Sequence, residues 1–228
     1  MILNYTIYGE RCSSTNYLQN LMELNFDIDV TWKYGWKHFF GFRQEKLIDS
    51  ENTLFICIVR NLNDWLNSLY IKKHHLPIRY ILSKKKLNNK DKINEFLNKE
   101  FWSCKKDKSE ILEDRNIYNG ERYKNIFELR HTKLKYMIED LPNKVNNYIF
   151  IRYEDLLNDF ENTMIKIKNK GLNLKNNIKF PINSKLYKNN INNNFKLFKP
   201  INYNTFSKEM IINNPNLIPH YEKLLKYI

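Results

Sequence analysis

Three strand–loop–helix junctions along the chain predict an α/β fold with a parallel sheet flanked by helices. Residues 2–8 (ILNYTIY) are β-branched and aromatic and run into Gly9, as a strand entering a turn does. Residues 53–59 (TLFICIV) are almost wholly apolar, the mark of a strand buried on both faces of a parallel sheet. Residues 148–151 (YIFI) lead through RYED into a further helical pattern near Asp155. The helices after the first two junctions announce themselves by period. Leu18, Leu21 and Met22 share one face, as do Leu62, Trp65, Leu66 and Leu69, and these spacings are helical.

The intervening segments follow in order. Residues 74–145 carry a mainly helical pattern, clearest at Leu134, Met137, Ile138 and Leu141, around a charged middle, KKDKSEILEDR (105–115). This stretch is expected to be a helical insertion over one edge of the sheet, a lid or an acceptor-binding region. Residues 171–204 are rich in Asn and Lys and irregular, and 207–227 read as two short helices split at Pro215. The expected organisation is one domain over 1–228, with 171–228 as a basic C-terminal segment.

With 228 residues, 42% hydrophobic and 14% aromatic, the chain has material for a packed core, which excludes disorder over its length. No apolar run approaches the ~18–20 residues of a membrane span, and the N-terminus lacks the order of a secretory signal. Cys12, Cys57 and Cys104 are odd in number and widely spaced. That argues against a disulfide scaffold or a zinc ribbon and for a reducing compartment. A cytoplasmic protein without a metal or a membrane is expected. The net charge is +13 and uneven: residues 161–228 hold 12 Lys against 3 Glu. Such a surplus favours an anionic partner: a nucleic acid, another polyanion or a phosphorylated cofactor. The same tail holds 16 Asn, however, and a Lys/Asn/Ile-rich composition also reflects an AT-rich genome, so charge alone names no partner.

Parallel sheets bind ligands at the carboxyl ends of their strands. The loop Gly9-Glu10-Arg11-Cys12-Ser13-Ser14-Thr15-Asn16 sits at such an end, just where a helix begins. Its backbone amides and the positive end of the helix dipole suit an anion; a plain capping loop closed by Ser13, Ser14 or Thr15 fits equally well. Neither GxxxxGK[ST] nor GxGxxG occurs in the chain. Cys12 at a helix N-terminus is expected to have a lowered pKa, but a phosphatase-type cysteine needs Arg six residues on, and position 18 is Leu. At the second junction, Arg60 ends the strand and Ser68 follows eight residues later on the next helix. That spacing lets a guanidinium and a hydroxyl meet one phosphate.

With these residues on the page, the sequence resembles the sulfotransferases that use 3′-phosphoadenosine-5′-phosphosulfate (PAPS). RCSST (11–15) is similar to their 5′-phosphosulfate loop, [KR]-x-G-[ST]-T, and VRNLNDWLNS (59–68) to their 3′-phosphate motif, V-R-N-x-x-D-x-x-x-S. GERCSSTNYL is similar to the GERxSGTNYL loop of a microbial and viral branch, with Ser14 where that branch has its central Gly. The likeness continues in GWKHFF (35–40), ERYKNIFELR (121–130) and IRYEDLLND (151–159). The resemblance implies a P-loop-like sulfotransferase fold, PAPS as sulfuryl donor, PAP as product, no metal, and a hydroxyl acceptor, with a carbohydrate favoured. It implies that Arg11 stabilises the leaving phosphate and that Cys12, Ser13, Ser14, Thr15 and Asn16 form the 5′-phosphate loop. Arg60 and Ser68 would bind the 3′-phosphate, and His38 would take the acceptor's proton. Lys37 and Trp36 would contact the acceptor, and His74 and His75 are rival candidates for the base or for acceptor contact. Lys185, Lys188, Lys196 and Lys199 are candidates to complete the 3′-phosphate site. Two alternatives remain: a P-loop kinase or NTPase-like nucleotide binder, against which the missing Walker lysine counts, and a catalytically silent nucleic-acid-binding protein driven by the basic tail.

Overall fold

In the computed structural model, which describes residues 1–42, 44–77, 89–175, 186–188 and 195–228, the three junctions converge on one four-stranded parallel sheet. Its strands are β1 (Asn4–Tyr8), β2 (Asp29–Val30), β3 (Thr53–Val59) and β4 (Asn147–Arg152), hydrogen-bonded in the order β2-β1-β3-β4. Ile7 of β1 pairs with Ile56 of β3, and Ile56 pairs in turn with Ile149 of β4. Every residue of the central strand β3 is buried, which accounts for its unbroken apolar run. Because all strands run one way, Gly9, Arg60 and Tyr153 leave the sheet at the same edge.

The helices are α1 (Thr15–Asn25), α2 (Leu62–Lys72), α3 (Asn89–Asn98), α4 (Ile126–Lys135), α5 (Tyr153–Asn158), α6 (Phe160–Lys168), α7 (Lys208–Ile212) and α8 (His220–Leu224). On one face of the sheet, Leu18, Leu21 and Met22 of α1 pack with Tyr5, Ile7, Ile56 and Ile58 and with Leu156, Met164 and Ile167. On the other, Tyr8, Phe55 and Cys57 pack against Leu134, Met137 and Leu141, which follow one another along and beyond α4. A third cluster joins Trp65 and Leu69 of α2 to Phe96, Phe127 and Phe206. Both faces are covered, as an all-parallel sheet requires. Among the described residues, no helix is long and apolar enough to cross a membrane.

The region 74–145 departs in its centre from the helical insertion expected. It is helical at α3 and from α4 through a π turn (Tyr136–Asp140) into a 3₁₀ turn (Leu141–Asn143). Residues 99–125 instead form an irregular loop with one 3₁₀ turn (Leu112–Asp114) and the isolated bridges Phe101–Tyr123 and Cys104–Glu110. The charged run offers no continuous apolar face to bury. Its Glu110 is instead taken up by Arg115 and Arg122, at 2.9 and 2.6 Å. In the tail, β5 (Leu186–Lys188) pairs antiparallel with β6 (Phe195–Leu197), and α7 and α8 lie on either side of Pro215.

Candidate functional site

Gly9 sets the course of the first loop. A Cβ there would lie 2.6 Å from the Ile58 carbonyl oxygen and 2.9 Å from Thr15 Cγ2, so only glycine lets the chain pass this close to β3. The same residue ties down the 37–38 segment. Its amide donates to the Lys37 carbonyl (3.0 Å), and its carbonyl accepts from His38 Nδ1 (2.8 Å). Beyond it, Cys12 and Ser14 take φ of 65° and 67°, so positive φ falls on either side of Ser13, where the sulfotransferase motif has Gly. Two non-glycine residues in this region mark backbone strain of the kind found at functional sites. Ser14 is the N-cap residue of α1, yet its side chain makes no capping hydrogen bond. The simple capping loop is therefore not what forms here, and first-turn amides lack intrahelical acceptors in any helix.

Above this loop lies a cleft of about 1110 Å³. Arg11, Cys12, Ser14, Thr15 and Asn16 line it from the first junction, and Arg60 and Ser68 from the second. Trp36, Lys37 and His38 border it, as do Lys72, His74 and His75 at the end of α2, and Tyr17, Tyr153, Phe198, Lys199, Ile201 and Tyr203 complete it. The fold thus brings to one cavity residues separated by up to 188 positions among those predicted from sequence, from Arg11 to Lys199. No carboxylate is among its lining residues.

The second junction is tightly built. Arg60 Nη1 donates to Ser68 Oγ at 2.9 Å, and its guanidinium stacks 5.2 Å from the centre of the Tyr153 ring. Tyr153 lines the cleft together with Ser14, so one aromatic residue stands between the two junctions. Arg60 Nε is buried without a hydrogen-bond partner. Behind the site, Arg130 donates to the Arg60 carbonyl (2.9 Å) and pairs with Glu222 (2.6 Å), while Trp65 Nε1 donates to the Arg11 carbonyl (2.8 Å).

Two residues do not sit as expected. Ser13 is fully buried and its amide donates to the Glu10 carbonyl (3.1 Å), so it shapes the loop from beneath rather than lining the cleft. Arg11 was expected to offer its guanidinium to a leaving phosphate, but its side chain is 1% exposed. Its Nη1 donates to Ser103 Oγ at 2.5 Å and its Nη2 lies 3.3 Å from Asp114. Asp114 also pairs with Lys133 at 2.8 Å and accepts from Ser103, and Lys133 donates to the His38 carbonyl (3.3 Å). The Nε and Nη2 of Arg11 nonetheless have no hydrogen-bond partner. Burial raises the carboxyl pKa of Asp114, but Lys133 and Arg11 outweigh it and hold the group below the usual carboxylate range. Glu10, in the same cluster, is pushed up to about 7 by burial against the opposing pull of Lys133 and Arg11.

The groups facing the cleft are differently tuned. Burial drives the His38 pKa down to about 3, with Arg11 and Lys37 adding to the effect and the bond to Gly9 opposing it. His38 is therefore neutral, with Nδ1–H held by Gly9 and Nε2 left as the acceptor nitrogen. The Lys37 ammonium donates to Asn16 Oδ1 and lies 5.7 and 5.4 Å from the Trp32 and Trp36 ring centres; burial lowers its pKa. Asn16 thus anchors the lysine beside His38. The Cys12 thiol was expected to be acidified by the helix, but burial dominates and pushes it up to about 11. All three cysteines are free thiols. Of the candidate lysines in the tail, Lys199 lines the cleft; Lys185 and the side chains of Lys188 and Lys196 lie outside the described residues.

Sequence reasoning missed Asp114, Lys133, Lys72, Phe198 and Tyr203. Asp114 sits within an ordinary-looking charged run, and nothing in its spacing ties it to residue 11. Tyr153 could have been found, because it stands inside the IRYED segment at a strand end. Among the described residues, no group of three or more His, Cys, Asp or Glu could hold a metal ion.

No family model matches the chain, and no curated protein matches it. Among solved structures, it is similar to a mouse sulfotransferase, SULT7A1, complexed with PAP, at 15% identity and a TM-score of 0.40. That match covers 75% of this chain and 60% of the mouse protein.

Proposed function

We propose that the chain is a sulfotransferase that moves a sulfuryl group from PAPS to an acceptor hydroxyl, with a carbohydrate hydroxyl as the favoured target. One observation carries the reading: Arg11, Cys12, Ser14 and Thr15 of the RCSST loop and the Arg60–Ser68 pair, 45 positions apart at their nearest, line the same cleft, with Tyr153 stacked on Arg60 between them. A nucleotide with phosphates at both its 5′ and 3′ ends can address both at once. The donor set fits such a group: a carboxylate-free lining, the buried unpartnered Nε of Arg60, and a helix N-terminus that its own cap residue leaves uncovered.

When bound, the nucleotide supplies an activated sulfuryl group on a phosphate leaving group. The chain's own residues do the rest. Arg60 and Ser68 hold the 3′-phosphate, and the first-turn amides at residues 14–16 hold the 5′ end. Lys37, fixed by Asn16, is the cleft cation beside His38. His38 Nε2 accepts the proton of the acceptor hydroxyl, a contribution worth roughly 10²–10⁴-fold. A bound anion offsets the positive charges of Arg11 and Lys37 that depress His38, which raises its basicity when the donor is in place. Arg11 acts from beneath, as a residue that positions the loop.

Thermal-shift titration without Mg²⁺ tests the reading. PAP should stabilise the protein more than ADP at equal concentration, and labelled sulfate should pass from PAPS to members of a glycan panel. Equal shifts for PAP and ADP, or a response that appears only with Mg²⁺, would overturn it.

A further inference from the structure

If the cleft is a PAPS site, as proposed above, its nucleotide groups are addressed by the α1 amides, Lys37, Arg60 and Ser68. A second set of basic groups is left over beside His38. Lys72, His74 and His75 are all exposed and border the same cleft. The turn that carries them is unusual. Lys73 and His75 take φ of 55° and 57°, so two non-glycine residues out of three hold the left-handed conformation. Such strain persists only where the surroundings over-determine it, and here they do. Cys104 donates its amide to the His75 carbonyl (3.0 Å), and His75 Nδ1 bonds the Cys104 carbonyl (3.1 Å). The His75 ring also sits edge-on to Phe39, 5.4 Å between centres, directly next in sequence to His38. A pinned, strained turn is therefore held against Phe39, the chain neighbour of the proposed base His38. Trp36, 46% exposed, adds an open aromatic face on which a sugar ring can stack. No carboxylate lines the cleft to repel a second anion once the nucleotide is in place.

We infer that the acceptor is itself an acid: a hydroxyl compound, most naturally a sugar, that carries a carboxylate or sulfate met by the 72–75 turn. Its negative charge rests on the Lys72 ammonium, with the His74 imidazole beside it, while its ring lies on Trp36.

The test uses a matched pair of probes, p-nitrophenyl β-D-glucoside and p-nitrophenyl β-D-glucuronide, titrated calorimetrically into the full chain saturated with PAP. The glucuronide should bind about tenfold more tightly at low salt, with the advantage shrinking as salt screens the contact. In the variant K72Q/H74N, which alters two exposed side chains, the advantage should fall below about threefold while PAP affinity is retained. Equal binding of the two probes, tighter binding of the glucoside, or no binding of either, with PAP bound normally, overturns the acidic acceptor and leaves the sulfotransferase reading standing. Failure of PAP to bind overturns that reading and this inference with it.

Discussion

Arg60 shows how a single side chain can be both buried and available. Its guanidinium is anchored by Ser68 and Tyr153, yet its Nε has no partner, and an unsatisfied buried donor costs free energy until a ligand supplies an acceptor. Arg60→Ala should therefore weaken PAP by about 10²-fold while changing the affinity for its 3′-dephospho analogue less than about threefold; equal losses measured by calorimetry would show that Arg60 does not read the 3′-phosphate. His38, the proposed base, has its Nδ1 held by the Gly9 carbonyl, which leaves Nε2 as the acceptor nitrogen. His38→Ala should lower turnover by about 10²–10⁴-fold with PAP affinity nearly unchanged, and a parallel fall in PAP affinity would argue for a binding role instead. Glu10 carries a pH signature. Its folded-state pKa of about 7 lies above the ordinary carboxyl value. The folded state therefore holds a proton that the unfolded state has lost, and this group's contribution to stability declines as pH rises between those two values. Glu10→Gln mimics the protonated form, so it should melt higher than the parent at pH 8 and at nearly the same temperature at pH 5. A difference that stays constant with pH would show that Glu10 is ionised throughout.

At the scale of elements, the β1–α1 loop depends on what crosses beneath and beside it. Gly9 is wedged against Ile58 of β3 and bonded in both directions to the 37–38 segment, so the anion loop and the proposed base share one anchor. A methyl group at position 9 would meet a backbone carbonyl at 2.6 Å, which no side-chain rotation relieves. Gly9→Ala should cost about 1–3 kcal/mol in chemical denaturation, as overpacking does, and should abolish the PAP-induced thermal shift even where the fold survives. Retained PAP binding would mean that the loop can shift without losing its anion site. The short helix α8 has a comparable reach, because its Glu222 holds Arg130, and Arg130 in turn holds the Arg60 carbonyl. In this way the C-terminal segment braces the tip of β3.

Across the whole molecule, the irregular 99–125 loop reaches under the cleft through Ser103 and Asp114. Asp114 is buried between Arg11 of the β1–α1 loop and Lys133 of α4, and Lys133 bonds the His38 carbonyl. Removing one partner from a buried ionic cluster leaves the others uncompensated, which is far costlier than losing a surface pair. Asp114→Asn should therefore destabilise the fold by about 3–5 kcal/mol, read as a drop in denaturation midpoint. A loss within the range of surface pairs would show that water or rearrangement compensates the two cations.

The sheet was legible because its evidence is local. A strand buried on both faces must be apolar throughout, as 53–59 nearly is, and a helix covering it must repeat its apolar residues at helical spacing, as α1 does. The position of the cleft followed from the same logic, since parallel strands end on one edge and Gly9 and Arg60 both stand there. What the chain's linear order could not show was direction and partnership at long range. Whether Arg11 faces a ligand or the interior depends on Ser103 and Asp114, about a hundred positions away, because burial makes a carboxylate's pull on a guanidinium stronger than that of water. The acidity expected of Cys12 was likewise overturned by burial, which outweighed the nearby arginines. Local pattern determined the elements and the edge where they end; only packing in three dimensions decided which charges are spent holding the loop and which remain to meet a ligand.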